Sequence, residues 1–227
     1  AYALSGLNII PRISWISEVS WKVNGASRTI AEEPVGQSVH SFIVSEIKKE
    51  TTPLKILDTI LDIGKEGFKL MEELHYFGIV HGDLHFGNLI ISPTTEGGPL
   101  RLIDMEYAAF RCGEPENSPI DEFLIGSEFS IRRGVGVPHD LRLFVDSINR
   151  YVQLVEEKFE GTHRYPAAVR DFVQSLLRIF PSNFQMNYRS EELDHDIVWN
   201  KFVSAKTDYD AVMDAHGDSP ESVAIDH

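Results

Sequence analysis

Gly78-Ile79-Val80-His81-Gly82-Asp83-Leu84-His85-Phe86-Gly87-Asn88-Leu89-Ile90-Ile91 decides how this chain is read. Apolar residues flank a polar centre, so His81 to Asn88 reads as a tight loop between the end of an apolar helix and an apolar strand. The loop presents a carboxylate, Asp83, and five positions later an amide, Asn88. A carboxylate can accept the proton of an attacking hydroxyl and orient it. An amide carbonyl is a hard oxygen donor suited to Mg²⁺. A second acidic motif, Leu102-Ile103-Asp104-Met105-Glu106, follows a Pro/Gly-rich turn at 93–99. The hairpin of Leu89–Ser92 and Leu100–Ile103 is expected to bring Asn88 and Asp104 to one metal, with Glu106 a weaker candidate beside them. Two oxygen ligands next to a base are the minimal apparatus of phosphoryl transfer, where catalysis is mostly positioning and charge neutralisation. Asp and Asn also shape ordinary turns, but that reading explains neither the paired motif nor the apolar strands around it.

Upstream of the loop, Thr52-Pro53 opens a helix, with Thr at the cap and Pro in the first turn. Leu54, Leu57, Ile60, Leu61, Gly64, Phe68, Met71 and Leu74 keep helical spacing to about Phe77, and Gly78 stops the run. This stripe is core. Earlier still, Ile9 to Val23 alternates β-branched and aromatic residues, Asn24-Gly25 signals a hairpin turn, and Arg28–Ala31 returns as the second strand. Pro34 and Gly36 break the chain, and Ser38 is placed to cap a helix from Val39. Downstream, Glu106 to Arg133 reads as irregular. His139-Asp140 caps a helix carrying Leu141, Phe144, Val145, Ile148, Tyr151, Val152 and Val155. A further helix starts at Tyr165-Pro166 and ends before Pro181, and another spans about Glu191 to Val203. From Asp208 the tail is polar and acidic and is expected to fray. His163, His195, His216 and His227 lack metal-site spacing and read as surface residues.

Composition bounds the partners. The formal net charge of −14 over 227 residues argues against a nucleic-acid backbone or an anionic membrane surface. Phosphate-bearing ligands stay compatible when a bound cation supplies the local charge. No apolar run approaches the roughly twenty residues of a membrane span. Cys112 is the only cysteine, which fits a reducing compartment, cytoplasmic or nuclear.

At His81-Gly82-Asp83-Leu84-His85-Phe86-Gly87-Asn88 the chain resembles the protein-kinase-like superfamily, whose catalytic loop reads H-R-D-L-x-x-x-N. Gly82 stands where most protein kinases carry Arg. Asp104-Met105-Glu106 resembles the D-F-G position and departs from it at the second and third residues. The H-G-D-L-H form with I-D-x-E is similar to the aminoglycoside and choline phosphotransferases, and H-G-D-L occurs also in RIO-type and other atypical kinases. The resemblance implies an α+β, mainly helical fold. Residues 1–33 would be the end of an N-terminal lobe with a short antiparallel hairpin, 34–38 a hinge, 39–207 a kinase-like C-terminal lobe and 208–227 a tail. It implies ATP and Mg²⁺ as cofactors. Glu33 and Val35 would flank the adenine at the hinge, and Asn88 and Asp104 would hold Mg²⁺ and the nucleotide phosphates. Asp83 would be the catalytic base with His85 orienting it or touching substrate, and His81 the structural histidine of the loop. Asp140 resembles the F-helix aspartate that holds the loop backbone; a plain N-cap is the competing reading, and one residue could do both.

A working kinase also needs a glycine-rich phosphate loop and a strand lysine. Neither precedes the first hairpin, and Lys22 is a poor substitute. The chain is therefore expected to be a piece of a larger protein, to take these parts from a second chain, or to be a degenerate binding module. Three functions follow: transfer of the γ-phosphate to a protein Ser/Thr hydroxyl, transfer to a small-molecule hydroxyl, or pseudokinase-like binding. Gly82 also removes the loop arginine that would pair with a phosphorylated activation segment, so no such switch is expected, although Arg101, Arg111, Arg132 and Arg133 lie nearby.

Overall fold

The computed structural model describes residues 13–16, 20–22, 25–27, 30–32, 36–49, 52–91, 100–112, 123–126, 136–182 and 193–216. The class is α+β and mainly helical, as the sequence predicts. Among the described residues five helices carry it: α1 (Val39–Lys48), α2 (Pro53–Tyr76), α3 (Val137–Phe159), α4 (Ala167–Ile179) and α5 (His195–His216). All strands pair antiparallel. β1 (Ile13–Ile16) pairs with β4 (Ile30–Glu32), and β2 (Ser20–Lys22) with β3 (Gly25–Ser27). The register sets Lys22 opposite Gly25, so Gly25 is a strand residue and not the turn residue the Asn24-Gly25 pair predicts.

β5 (Gln37–Ser38), β7 (Leu89–Ile91) and β8 (Leu100–Leu102) form one three-stranded sheet in the order β5-β7-β8. β6 (Ile79–Val80), β9 (Ala109–Cys112) and β10 (Phe123–Gly126) form another in the order β10-β9-β6. This second sheet corrects the expectation of an irregular segment after Glu106. Its pairing joins distant strands, and period-2 alternation does not announce it.

Ser38 caps α1 as predicted, its hydroxyl accepting from the Ser41 amide at 3.1 Å. Pro53 opens α2, but the Thr52 side chain makes no capping bond. The buried stripe of α2 includes Ile56 and Gly67 besides the predicted Leu57, Ile60, Leu61, Gly64, Phe68, Met71 and Leu74; Leu54 is only partly buried. Gly78 ends the helix at φ +69°, the left-handed region where a residue without Cβ is unstrained. Asp140 does not cap α3: the helix begins three residues earlier at Val137, and Gly136 is the cap. α5 continues to His216, where fraying from Asp208 is expected from composition. Val198, Phe202 and Ala205 anchor its inner face in the core.

The core lies where α2, α3 and α5 meet. Phe202 of α5 reaches the rings of Phe68, Phe144 and Phe180 at centroid distances of 6.0, 6.5 and 5.3 Å. Burying each such ring is worth about 1.5–3 kcal/mol, so this cluster fixes the helices on which the loop is mounted. Among the described residues no helix is long and apolar enough to cross a membrane.

Candidate functional site

The loop from His81 to Asn88 leaves β6 and enters β7 through a single 3₁₀ turn, Phe86–Asn88. Its backbone is held from outside at both ends by one helix. Asp140 of α3 accepts from the His81 amide at 2.7 Å through Oδ2 and from the Gly82 amide at 2.8 Å through Oδ1. Ser147, seven residues on, accepts from the Phe86 amide at 3.0 Å through Oγ. Positions seven apart lie on one helix face, and both side chains are buried. Of the two readings of Asp140 in the sequence, the hydrogen bonds place it on the loop backbone.

His81 joins the two acidic motifs. Its Nε2 lies 2.9 Å from the Ile103 carbonyl, which can only accept, so Nε2 carries the proton. Its Nδ1 accepts from the Asp83 amide at 3.3 Å. Both nitrogens are thus satisfied by the neutral ring. Burial lowers its pKa, against the nearby carboxylate of Asp140. A buried neutral imidazole tied to backbone on both sides sets the position of Asp83 relative to Ile103, the neighbour of Asp104.

The Asp83 carboxylate is the polar centre of the loop and is 37% exposed. Asn88 donates through Nδ2 to the Asp83 carbonyl at 2.9 Å and, more weakly, to Asp83 Oδ2 at 3.4 Å. Those oxygens only accept, so the amide must turn its NH₂ to them, which leaves Asn88 Oδ1 as a donor for a cation. His85 Nδ1 accepts from the Gly87 amide at 3.0 Å. A neutral His85 therefore carries its proton on Nε2, which faces Asp83 Oδ2 at 3.6 Å. This is too long for a hydrogen bond.

Asp104 completes the set from the other strand. The β7–β8 ladder runs Leu89 opposite Leu102, and the Ile103 amide donates to the Asn88 carbonyl at 3.0 Å. The ladder therefore places Asp104 one residue beyond the partner of Asn88. Asp104 is the one non-glycine residue at positive φ among the described residues, at φ 60° and ψ 60°. Its side chain makes no cap to the Met105–Tyr107 turn that it opens. Left-handed backbone in a non-glycine residue costs about 1–2 kcal/mol, and such strain collects at functional positions. Glu106 lies in that same turn.

Gly82 has φ +82°, and a Cβ built there would meet the Tyr107 carbonyl oxygen at 2.5 Å. Glycine at this position is thus demanded by the turn after Asp104. Arg101, one of the nearby arginines, is 2% exposed and donates to the Leu100 carbonyl at 2.8 Å.

Glu33 and Val35, assigned to the adenine site, lie outside the described residues. Three functional contributors escape sequence reasoning. Ser147 is a polar residue inside the apolar stripe of α3, and that placement was its signal. Tyr151 stacks on Phe86 at 5.1 Å and 21°, and its hydroxyl meets His40 Nδ1 at 2.7 Å. Burial pushes the Tyr151 phenol up to about 12, so it stays protonated. His75 and His195, treated below, form the third. His195 is not a free surface residue, as its spacing suggests; it contacts the His75 ring. The cavity between α2 and α5, lined by Asp58, Lys65, Trp199, Phe202 and Lys206 among others, contains none of the loop residues.

No protein-family model matches this chain, and no curated protein does. Two solved structures from Toxoplasma gondii are similar to it. One is ROP2, described as a virulence factor with a protein-kinase fold and no enzymatic activity, at 14% identity and a TM-score of 0.48. The other is a rhoptry kinase, at 14% identity and a TM-score of 0.46. Each match covers 95% of this chain, and the chain spans 65% of the length of each. These likenesses concern the fold alone.

Proposed function

We propose that this chain carries the transfer half of an ATP- and Mg²⁺-dependent phosphotransferase, with Asp83 as the base that accepts the proton of an acceptor hydroxyl. One observation carries the reading. Asp83 is a part-exposed carboxylate on a backbone immobilised by Asp140, His81 and Asn88, and His85 Nε2 faces its outer oxygen. A base held this way needs little reorganisation when the hydroxyl arrives.

The donor set fits Mg²⁺. Asn88 Oδ1 and the Asp104 carboxylate are hard oxygens, and Mg²⁺ is usually held by one or two such groups together with substrate phosphates and water. The cation would neutralise charge on the transferring phosphoryl group. The chain's own residues do the rest. Asp83 orients the acceptor and takes its proton. His85 keeps that carboxylate aimed. His81 and the β7–β8 ladder hold the distance between the two motifs.

For the acceptor, the uninterrupted run from Leu74 through Leu84 and the Asp140 tether favour a protein Ser/Thr hydroxyl. The H-G-D-L-H and I-D-M-E motifs favour a small-molecule hydroxyl as the second reading. The test is phosphate transfer from labelled ATP by the full-length protein to panels of both acceptor classes. Asp83→Asn is expected to lower the rate by about 100-fold or more with unchanged thermal stability. Transfer at the normal rate by Asp83→Asn would remove Asp83 from the reaction. Absence of both transfer and nucleotide binding in the full-length protein would instead leave a binding module.

A further inference from the structure

Asp140 is fully buried, and among the described residues its ion-pair partner is His75 of α2. His75 has both ring nitrogens engaged. Nε2 lies 3.0 Å from Asp140 Oδ2, and Nδ1 lies 2.9 Å from Nε2 of His195, the first residue of α5. The His75 side chain is 2% exposed, so water is a poor substitute for either partner. The His195 ring sits 5.1 Å from that of His75 and edge-on to Phe68 at 6.0 Å.

Proton counting restricts this chain. The Asp140 carboxylate only accepts, so His75 Nε2 must carry a proton. Between His75 Nδ1 and His195 Nε2 there is room for one more, on either nitrogen. Two protons would set N–H against N–H, and none would set lone pair against lone pair.

We propose that His195 is a positioning residue for the 81–88 loop: by sharing one proton with His75 it holds the ring that keeps Asp140 on the His81 and Gly82 amides. The consequence for phosphate transfer rests on the function proposed above; the positioning itself does not.

The link is acid-sensitive. His195 is faced by His75 and Glu72 from α2, by Asp194 and Asp196 beside it, and, beyond His75, by Asp140 of α3 and His81 of the loop. Burial and then the His75 ring lower the pKa of His195, against the pull of the three acids at 72, 194 and 196. At neutral pH the pair holds its single shared proton. As pH falls below the ordinary histidine range, near 6.5, a second proton enters and the contact opens.

Amide hydrogen exchange by NMR on the full chain tests this, at about pH 7 and about pH 5, either side of that range. Rates are corrected for the intrinsic pH dependence, with Val145 and Ile148 inside α3 as references for global opening. In the wild type, acidification should raise exchange at His81 and Gly82 on the order of tenfold, the scale of one hydrogen bond lost. His195→Gln offers a donor and an acceptor without titrating and should reduce that response to the share that titrates with His81. His195→Leu should show the faster exchange at both pH values. A wild-type acid response in His195→Gln, or full protection in His195→Leu, would overturn the proposal. Should both variants fail to fold, the imidazole ¹⁵N spectrum of the wild type decides. One protonated nitrogen across the His75–His195 contact at neutral pH is required, with protection at His81 and Gly82 lost as the second proton enters. Two protonated nitrogens at neutral pH refute it. An inactive protein with this exchange behaviour intact would overturn phosphate transfer and leave the positioning standing.

Discussion

The two acidic motifs are built in opposite ways. Asp83 sits in a loop whose backbone is held by Asp140, Ser147, His81 and Asn88, all buried. Asp104 is exposed, sits on strained backbone and lends its side chain to no cap. For the proposed reaction a base must be aimed before the substrate arrives, so rigidity around Asp83 would serve it. A ligand for the proposed cation, arriving with its nucleotide, would need an uncommitted carboxylate. Order on one side and availability on the other are the two halves of the same task.

Breaking the ordered half should have the largest effect. Asp140→Ala strips the His81 and Gly82 amides and His75 of their shared acceptor inside the core. Removing one partner from a buried ionic network costs about 3–5 kcal/mol, read as a fall in denaturation midpoint with lost protection at both amides. Gly82→Ala comes next. It combines about 1–2 kcal/mol of left-handed strain with a Cβ that meets the Tyr107 carbonyl at 2.5 Å, and it should lower the melting temperature while shifting the Met105–Tyr107 turn.

The available half should respond with the opposite sign. Asp104→Gly removes the positive-φ strain and should raise stability by about 1 kcal/mol, while Mg²⁺-dependent nucleotide binding by the full-length protein is lost. If stability fell instead, the Asp104 side chain would be holding the fold, and the contrast between the halves would fail.

The mildest perturbation is pH. Burial lowers the pKa of both His81 and His195. The unfolded chain then binds more protons than the folded one where pH lies between the folded values and the ordinary histidine value. Stability should be full above about pH 6.5 and decline as pH falls toward the folded values, measured as denaturation midpoints across that window.

What the sequence disclosed was local. Asp83, Asn88 and Asp104 stand out because the proposed chemistry would need them at short spacings along one loop and hairpin, and the stripes of α2 and α3 follow from helical period. What it hid was contact between distant segments. His75 and His195 are 120 positions apart, and neither carries a spacing that marks it. The β9–β10 pairing is likewise set by which strands the helices bring together. The Asn24-Gly25 turn failed by register, since propensity names a turn but not which residue ends the strand. The start of α3 moved to Val137 because Pro138 is at home in a first turn, so Asp140 was free to face the loop.

Asp140 and Ser147 act together as a ruler. Seven residues of helix separate the two posts by about 10.5 Å, and the chain from Gly82 to Phe86 is strung between them. The number of residues on that span is therefore metered by the pitch of another element. One residue inserted between Gly82 and Phe86 would have to buckle outward or abandon a post. Length variation among related chains should stay out of the loop.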